Sequence, residues 1–189
     1  MMMRYAVALV LMLMAGQASA ADTNKEQLWA ALASGKAIAI MRHALAPGFG
    51  DPANFDVKDC STQRNLSDEG RAQAERIGKL FREYGITQAR VVSSQWCRSL
   101  ETARLLKLGE VEELTALNSF FANRANKQTQ TDALKKWISE QAGDKPIVLV
   151  SHQVNISALT GASPASGEVV VLLKDNKGGF EVVGSLLPD

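Results

Sequence analysis

Two histidines occur in the 189-residue chain, and each stands directly behind a short apolar run. Ala37-Ile38-Ala39-Ile40-Met41 leads into Arg42-His43, and Pro146-Ile147-Val148-Leu149-Val150 leads into Ser151-His152. An imidazole changes charge near neutral pH, so it can serve as nucleophile, proton carrier or metal ligand. A second guanidinium, Arg98, lies beyond a third apolar stretch, Ala89 to Val92, after Ser93-Ser94-Gln95-Trp96-Cys97. Arginine's planar, permanently charged fork matches an oxyanion bidentately. Two imidazoles and two guanidiniums around one point would make a site for a phosphoryl group. Neither a Walker-type loop nor a GxGxxG fingerprint is present, so the phosphate would have to be gripped by side chains. Taken singly, each element also has an ordinary structural reading, as a core histidine or a surface arginine at a helix start.

Bringing these groups together is a task for the surrounding elements. The run at Ala37–Met41, bounded by Gly35 and by Ala46-Pro47-Gly48, reads as a buried strand. Ala89–Val92 and the run ending at His152 read the same way, and Glu110–Leu114 is a weaker strand candidate. Helical spacing marks Lys25–Ser34, the stretch from the N-cap Ser67 to Gly85, Ser99–Leu108, Thr131–Gln141 and Val154–Thr160. Asn118 to Gln130 reads as irregular. Strands alternating with helices predict an α/β fold, a three-layer α/β/α sandwich with a mainly parallel sheet. Glu168–Leu173 and Phe180–Val183, joined across Asn176-Lys177-Gly178-Gly179, predict an antiparallel edge. In a parallel sheet all strands present their carboxyl ends along one edge, where ligands bind. That edge would carry Arg42-His43, Ser94 to Arg98, and Ser151-His152. The long irregular stretch Ala44–Leu66 is of the kind that is functional or disordered.

The beginning of the chain has a different character. Arg4, the apolar run Ala6–Ala15 and Ala18-Ser19-Ala20 follow one another as the parts of a secretory signal peptide do, and the apolar run is too short for a transmembrane helix. The expectation is a signal peptide at residues 1–20 and a single domain at 21–189, periplasmic or secreted, with no stable membrane insertion once the signal is removed. The chain holds 21 Lys and Arg against 20 Asp and Glu, Arg4 among the former. This balance, without basic runs, gives no support to nucleic acid or an anionic membrane as partner. The two cysteines, Cys60 and Cys97, lack the spacing of a zinc site. In an exported chain they could form one disulfide or remain two thiols.

Four blocks together resemble the histidine phosphatase superfamily, which also contains the cofactor-dependent phosphoglycerate mutases. They are Met41-Arg42-His43-Ala44, Asn65-Leu66-Ser67-x-x-Gly70-x-x-Gln73-Ala74, Ser93-Ser94-x-x-x-Arg98-x-x-x-Thr102-Ala103, and Val150-Ser151-His152. The similarity is strongest to small exported members with an Arg-His-Ala motif, including lipopolysaccharide-core heptose phosphatases. It implies a phosphoglycerate mutase-like fold and a phosphomonoesterase needing neither metal nor cofactor. His43 would be the nucleophile, with Arg42, Arg98 and His152 binding the phosphoryl group. Ser94, Gln63, Arg64, Gln153 and Asn155 are further candidates for substrate contact, Gln63 and Arg64 equally for anchoring the loop. The expected substrate is a small phosphate ester or a phosphorylated envelope component, and the oligomeric state is left open.

Two departures from the family pattern stand out. Ala44 replaces the glycine that many members carry after the Arg-His pair. The general acid is also missing from both places where the family keeps it: Leu114–Arg124 holds no carboxylate, and the residue after His152 is Gln153. Asp51, Asp56, Asp59, Glu112, Glu113 and Glu168 remain as candidates. A leaving group that departs readily needs little acid assistance. A phospho-ligand binding protein with little turnover, or a phosphatase of narrow specificity for phosphohistidine or a sugar phosphate, are the alternatives.

Overall fold

The computed structural model describes residues 20–175 and 177–187. The expected signal peptide therefore lies almost wholly outside the described residues, as does Asn176 of the expected hairpin turn. In chain order the main elements are α1 (Ala20–Ala33), β1 (Ala37–Arg42), α2 (Asp68–Glu83), β2 (Arg90–Ser93), α3 (Cys97–Leu105), β3 (Val111–Glu113), α4 (Lys127–Ser139), β4 (Ile147–Ser151), α5 (Gln153–Thr160), β5 (Val169–Lys174) and β6 (Phe180–Leu186). Single 3-10 turns stand at Cys60–Thr62, Thr115–Leu117 and Arg124–Asn126.

The six strands form one sheet in the order β3-β2-β4-β1-β5-β6. The first four run parallel, while β5 pairs antiparallel with both β1 and β6. This is the mainly parallel sheet with an antiparallel edge that the pattern predicts. β1 and β4 lie in its centre, covered on both faces, which is why they read as unbroken apolar runs. Successive side chains go to opposite faces. Ala37, Ala39 and Met41 pack with Val148, Val150 and the helical residues Trp29, Ile77 and Phe81. Ile38 and Ile40 pack with Leu149 and with Leu134, Ile138 and Ile156 of the other face. Helices α1 to α3 thus cover one face and α4 and α5 the other, giving the three layers.

α2 carries its own start signal: Ser67 Oγ accepts the Gly70 N–H at 3.1 Å, with Asp68 and Glu69 in the first turn against the helix dipole. Its glycines permit close packing. A Cβ on Gly70 would lie 2.0 Å from Leu45 O, and one on Gly78 would lie 2.2 Å from Leu106 O. α3 begins two residues earlier than its sequence pattern indicates. Trp96 offers no capping side chain, and the Cys97 N–H donates instead to Gln63 Oε1 at 2.9 Å, a cap delivered from the long loop. It also ends before Leu108, because Lys107 takes a left-handed φ of 56°. α4 starts at Lys127, four residues ahead of the periodic stretch, because its polar first turn faces solvent and leaves no apolar signature. β6 runs on to Leu186, beyond the expected Val183.

Candidate active site

The register of the two central strands brings the histidines together. Arg42 is paired with Ser151 across β1 and β4, so the next residue on each strand is a histidine. The His43 N–H donates to Ser151 O at 2.9 Å, and the imidazole centroids are 5.4 Å apart. On the other side of β4, the Ser94 N–H donates to Val150 O at 2.9 Å, which brings the end of β2 level with them. Arg98 enters from the first turn of α3. All three stretches meet on one sheet edge.

His43 is almost fully buried and its two ring nitrogens have distinct partners. Nδ1 lies 2.8 Å from the Ala44 carbonyl oxygen, which can only accept, so the hydrogen belongs on Nδ1. Nε2 is left with its lone pair, 3.3 Å from the Arg98 Nε–H. Burial, followed by the Arg98 charge, pushes the His43 pKa down to about 3. It is therefore a neutral imidazole across the physiological range, with the free lone pair on Nε2. His152 is held well below its ordinary value by burial first, then by His43 and Arg98. Its Nε2 is 2.8 Å from Ser94 Oγ, and that hydroxyl also donates to Asn118 Oδ1 at 3.3 Å.

Arg98 has only 3% of its side chain exposed, and its fork is oriented by Asp51. Nη1 donates to Asp51 Oδ1 at 2.6 Å and Nη2 to Oδ2 at 3.1 Å, while Nη1 also meets Arg64 O at 3.1 Å. Trp96 Nε1 donates to the same carboxylate at 3.0 Å, and the Arg64 N–H does so at 3.1 Å. Burial pushes the Asp51 carboxyl upward, but the Arg98 hydrogen bonds and charge outweigh it and hold it below the usual carboxylate range. Arg64 donates through Nε to Gly50 O at 2.9 Å and through Nη1 to Ala46 O. Burial and the neighbouring Arg98 lower the Arg64 pKa to about 10. Arg42 donates through Nη1 to Pro164 O at 3.2 Å, but its buried Nε has no partner among the described residues. The Arg42 pKa is likewise lowered, by burial and then Arg98.

These groups wall a cavity of about 90 Å³, whose lining includes Arg42, His43, Asp51, Arg64, Arg98 and His152. Three guanidiniums and two imidazoles on its wall suit it to an oxyanion. The start of α5 adds Gln153 and Val154 to the wall, and no side chain caps that helix. Its N-terminal N–H groups and dipole favour negative charge there. A larger concavity of about 670 Å³ lies over Cys60, Cys97, Arg71 and Glu101 and holds neither histidine. The smaller cavity contains the reactive groups, and the site is assigned to it.

Of the residues proposed for substrate contact, Arg64 and Gln153 reach the cavity wall. Ser94, Gln63 and Asn155 stand behind it. Ser94 holds His152, Gln63 ties the long loop to α3 through Asp56 O, Val57 O and the Cys97 N–H, and Asn155 Nδ2 donates to Asn118 O at 2.8 Å. Of the general-acid candidates only Asp51 lines the cavity. Asp56 and Asp59 accept N–H groups of their own loop, Glu112 pairs with Arg90, Glu113 accepts from Gln95, and Glu168 accepts the Ala165 N–H. Cys60 and Cys97 are joined in a disulfide, which fastens the long loop to α3 beside Arg98. Thr102 is a positioning residue that the motif contains but residue type alone does not assign. It accepts the Ala44 N–H at 3.0 Å and donates to Arg98 O at 2.7 Å, linking the backbone behind His43 to Arg98. Ala44 itself is fully buried against Ala46, Leu66 and Ala74. Among the described residues, no three His, Cys, Asp or Glu side chains gather where they could hold a metal ion.

The doubly covered, mainly parallel sheet with its antiparallel edge is a phosphoglycerate mutase-like fold. The chain belongs to the histidine phosphatase superfamily (branch 1), whose family model matches residues 38–137. Solved structures agree in fold. The protein histidine phosphatase SixA in complex with tungstate superimposes with a TM-score of 0.60 at 18% identity, covering 80% of this chain and 97% of that one. A Mycobacterium tuberculosis open reading frame product, Rv3214, gives 0.61 at 17%, covering 80% and 96%. The mycobacterial glucosyl-3-phosphoglycerate phosphatase gives 0.57 at 16%, covering 77% and 95%. No curated protein sequence matches the chain.

Proposed function

We propose that the protein is an exported phosphomonoesterase that works through a phosphohistidine on His43. The observation that carries this reading is the pairing of a neutral, buried imidazole with a cationic cavity of small volume. Arg42, Arg64 and Arg98 contribute three positive charges and Asp51 one negative. With both imidazoles neutral, the net charge is that of a counterion to a phosphate dianion. His43 Nε2 attacks phosphorus in line and the ester oxygen departs; water then hydrolyses the phosphohistidine. Dividing the displacement in two replaces one difficult step by two easier ones. Arg42, Arg98 and His152 hold the three equatorial oxygens, where transition-state charge accumulates. The Ala44 carbonyl fixes the tautomer, and the adjacent guanidiniums keep the nucleophile unprotonated. Solved neighbours named for phosphatase activity, one of them holding the oxyanion tungstate, support the same reading.

Export is supported by the signal-like order of residues 1–20 and by the Cys60–Cys97 bridge, since disulfides persist in oxidising compartments. A phospho-ligand binding protein is the second reading, favoured by the engagement of the one cavity carboxylate with Arg98. Hydrolysis of para-nitrophenyl phosphate in excess EDTA, by wild type and His43→Ala, decides between them. Turnover that survives EDTA and vanishes in the variant is expected. No turnover with vanadate still bound would favour the binding protein, and turnover unaffected by His43→Ala would overturn the mechanism.

A further inference from the structure

With the phosphoryl group among the guanidiniums and imidazoles, the organic part of the ester would lie toward the cavity's exposed mouth. That mouth is aromatic. Phe49 lines the cavity and is 87% exposed, the most exposed large apolar side chain among the described residues. It sits between Gly48 and Gly50, both with positive φ (96° and 67°), so the backbone turns on either side to present it. Its ring meets Phe121, also on the wall, edge to face at a centroid distance of 4.7 Å. The Arg124 guanidinium lies over the Phe121 ring, 4.9 Å from its centroid. An exposed Phe49 packed on a half-buried Phe121 beside a polar pocket offers a planar group faces and edges to pack against.

The same wall offers no free carboxyl group to protonate the departing oxygen. Its single carboxylate, Asp51, is engaged by Arg98, Trp96 and the Arg64 N–H. The leaving group must therefore depart as an anion of low basicity. An aromatic mouth and an absent acid select the same chemical class. Resting on the phosphatase reading above, we propose that the substrates are aryl phosphates, in which a phenolic oxygen carries the phosphoryl group and the ring packs on Phe49 and Phe121.

The balance is simple. The His43 Nε2 lone pair forms the N–P bond as the P–O(aryl) bond breaks, and its electron pair leaves on the phenolate, which is protonated by solvent. Water oxygen then bonds to phosphorus as the N–P pair returns to Nε2, and the water proton passes to solvent with inorganic phosphate.

The test measures kcat/KM in EDTA for phenyl phosphate, benzyl phosphate and glycerol 3-phosphate, with wild type, Phe49→Ala and Phe121→Ala. Benzyl phosphate keeps the ring but has a far more basic leaving oxygen. Without acid assistance, phenyl phosphate should exceed it by about 100-fold or more, the smallest contribution general acids make. Benzyl phosphate should exceed glycerol 3-phosphate by roughly three- to tenfold, the usual worth of an aromatic contact, and either Phe variant should abolish that margin. Vanadate inhibition monitors the phosphoryl cavity in every variant. A phosphotyrosyl peptide alongside phenyl phosphate separates protein-borne from small aryl esters, and cleavage of either supports the class. Comparable rates for phenyl and benzyl phosphate, a ring preference untouched by both Phe variants, or no hydrolysis of any aryl phosphate would overturn the proposal. Hydrolysis that persists in His43→Ala would instead overturn the phosphohistidine mechanism beneath it.

Discussion

Lowering the pH from 7 to 5 should destabilise the folded protein by about 2 kcal/mol through His43 alone. The ring is shifted from an ordinary value of 6.5 to about 3, by burial first and by Arg98 next. Between those values the unfolded chain binds a proton that the folded chain excludes. Stability is therefore intact above the unfolded value and is lost as pH falls toward the folded one, at about 1.4 kcal/mol per pH unit for one such group. His152, lowered in the same direction, adds to the loss. Asp51 is held below the ordinary carboxylate range and stays ionised in this window, so the histidines dominate the comparison. The assay is urea unfolding at pH 7 and pH 5, with the disulfide intact, for wild type and His43→Asn, whose amide can still donate to Ala44 O. The wild-type loss should exceed the variant's by about 2 kcal/mol. Equal losses, or an NMR titration placing His43 near 6.5 in the folded protein, would refute the claim that the site holds this ring neutral.

The disulfide spans 37 residues, and a loop of that length corresponds to about 4 kcal/mol of chain entropy. Cys60→Ser with Cys97→Ser should therefore lower the urea midpoint markedly and weaken vanadate binding, as the loop that places Asp51 and Arg64 loosens. Asp51→Asn leaves the buried Arg98 charge without its partner and should cost about 3 kcal/mol in phosphate-free buffer, partly restored by added phosphate, read by thermal unfolding. Asp56→Asn, Glu113→Gln and Glu168→Gln, none of them on the cavity wall, should leave kcat within about twofold in a para-nitrophenyl phosphate assay, in line with ordinary surface substitutions. Gly78→Ala meets the Leu106 backbone and should destabilise by more than about 2 kcal/mol in the same unfolding measurement, a small-to-large clash that α2 cannot relieve without moving off α3.

The central strands were legible because their information is local. Two apolar runs of similar length, each ending in an imidazole, define β1 and β4, and pairing them in parallel brings His43 and His152 side by side. The four motif blocks supplied the same residues through family resemblance. What the sequence leaves open depends on contacts between distant segments. Six carboxylates were candidates for the acid, and only the path of the loop over residues 44–66 brings Asp51 to Arg98, while Asp56 and Asp59 accept N–H groups of that loop and Glu112, Glu113 and Glu168 have partners outside it. The start of α3 is capped by Gln63 from 34 residues away, a partner with no local signature. Asn118, which receives Ser94 and steadies His152 through it, lies in a stretch that reads only as polar and irregular. Phe49 and Phe121 become a pair only once two separate loops meet above the cavity.

The central claim is that the phosphoryl group passes through His43, and the most direct measurement is to catch it there. Enzyme mixed with para-nitrophenyl phosphate in EDTA, quenched in alkali within milliseconds and mapped by tandem mass spectrometry, should carry an acid-labile phosphoryl group on the peptide spanning β1 and Ala44. The label should reside on His43, appear with a burst of nitrophenolate no larger than one equivalent, and be absent from His43→Ala. Turnover in which the phosphoryl group appears on another residue, or persists in His43→Ala, would contradict the account.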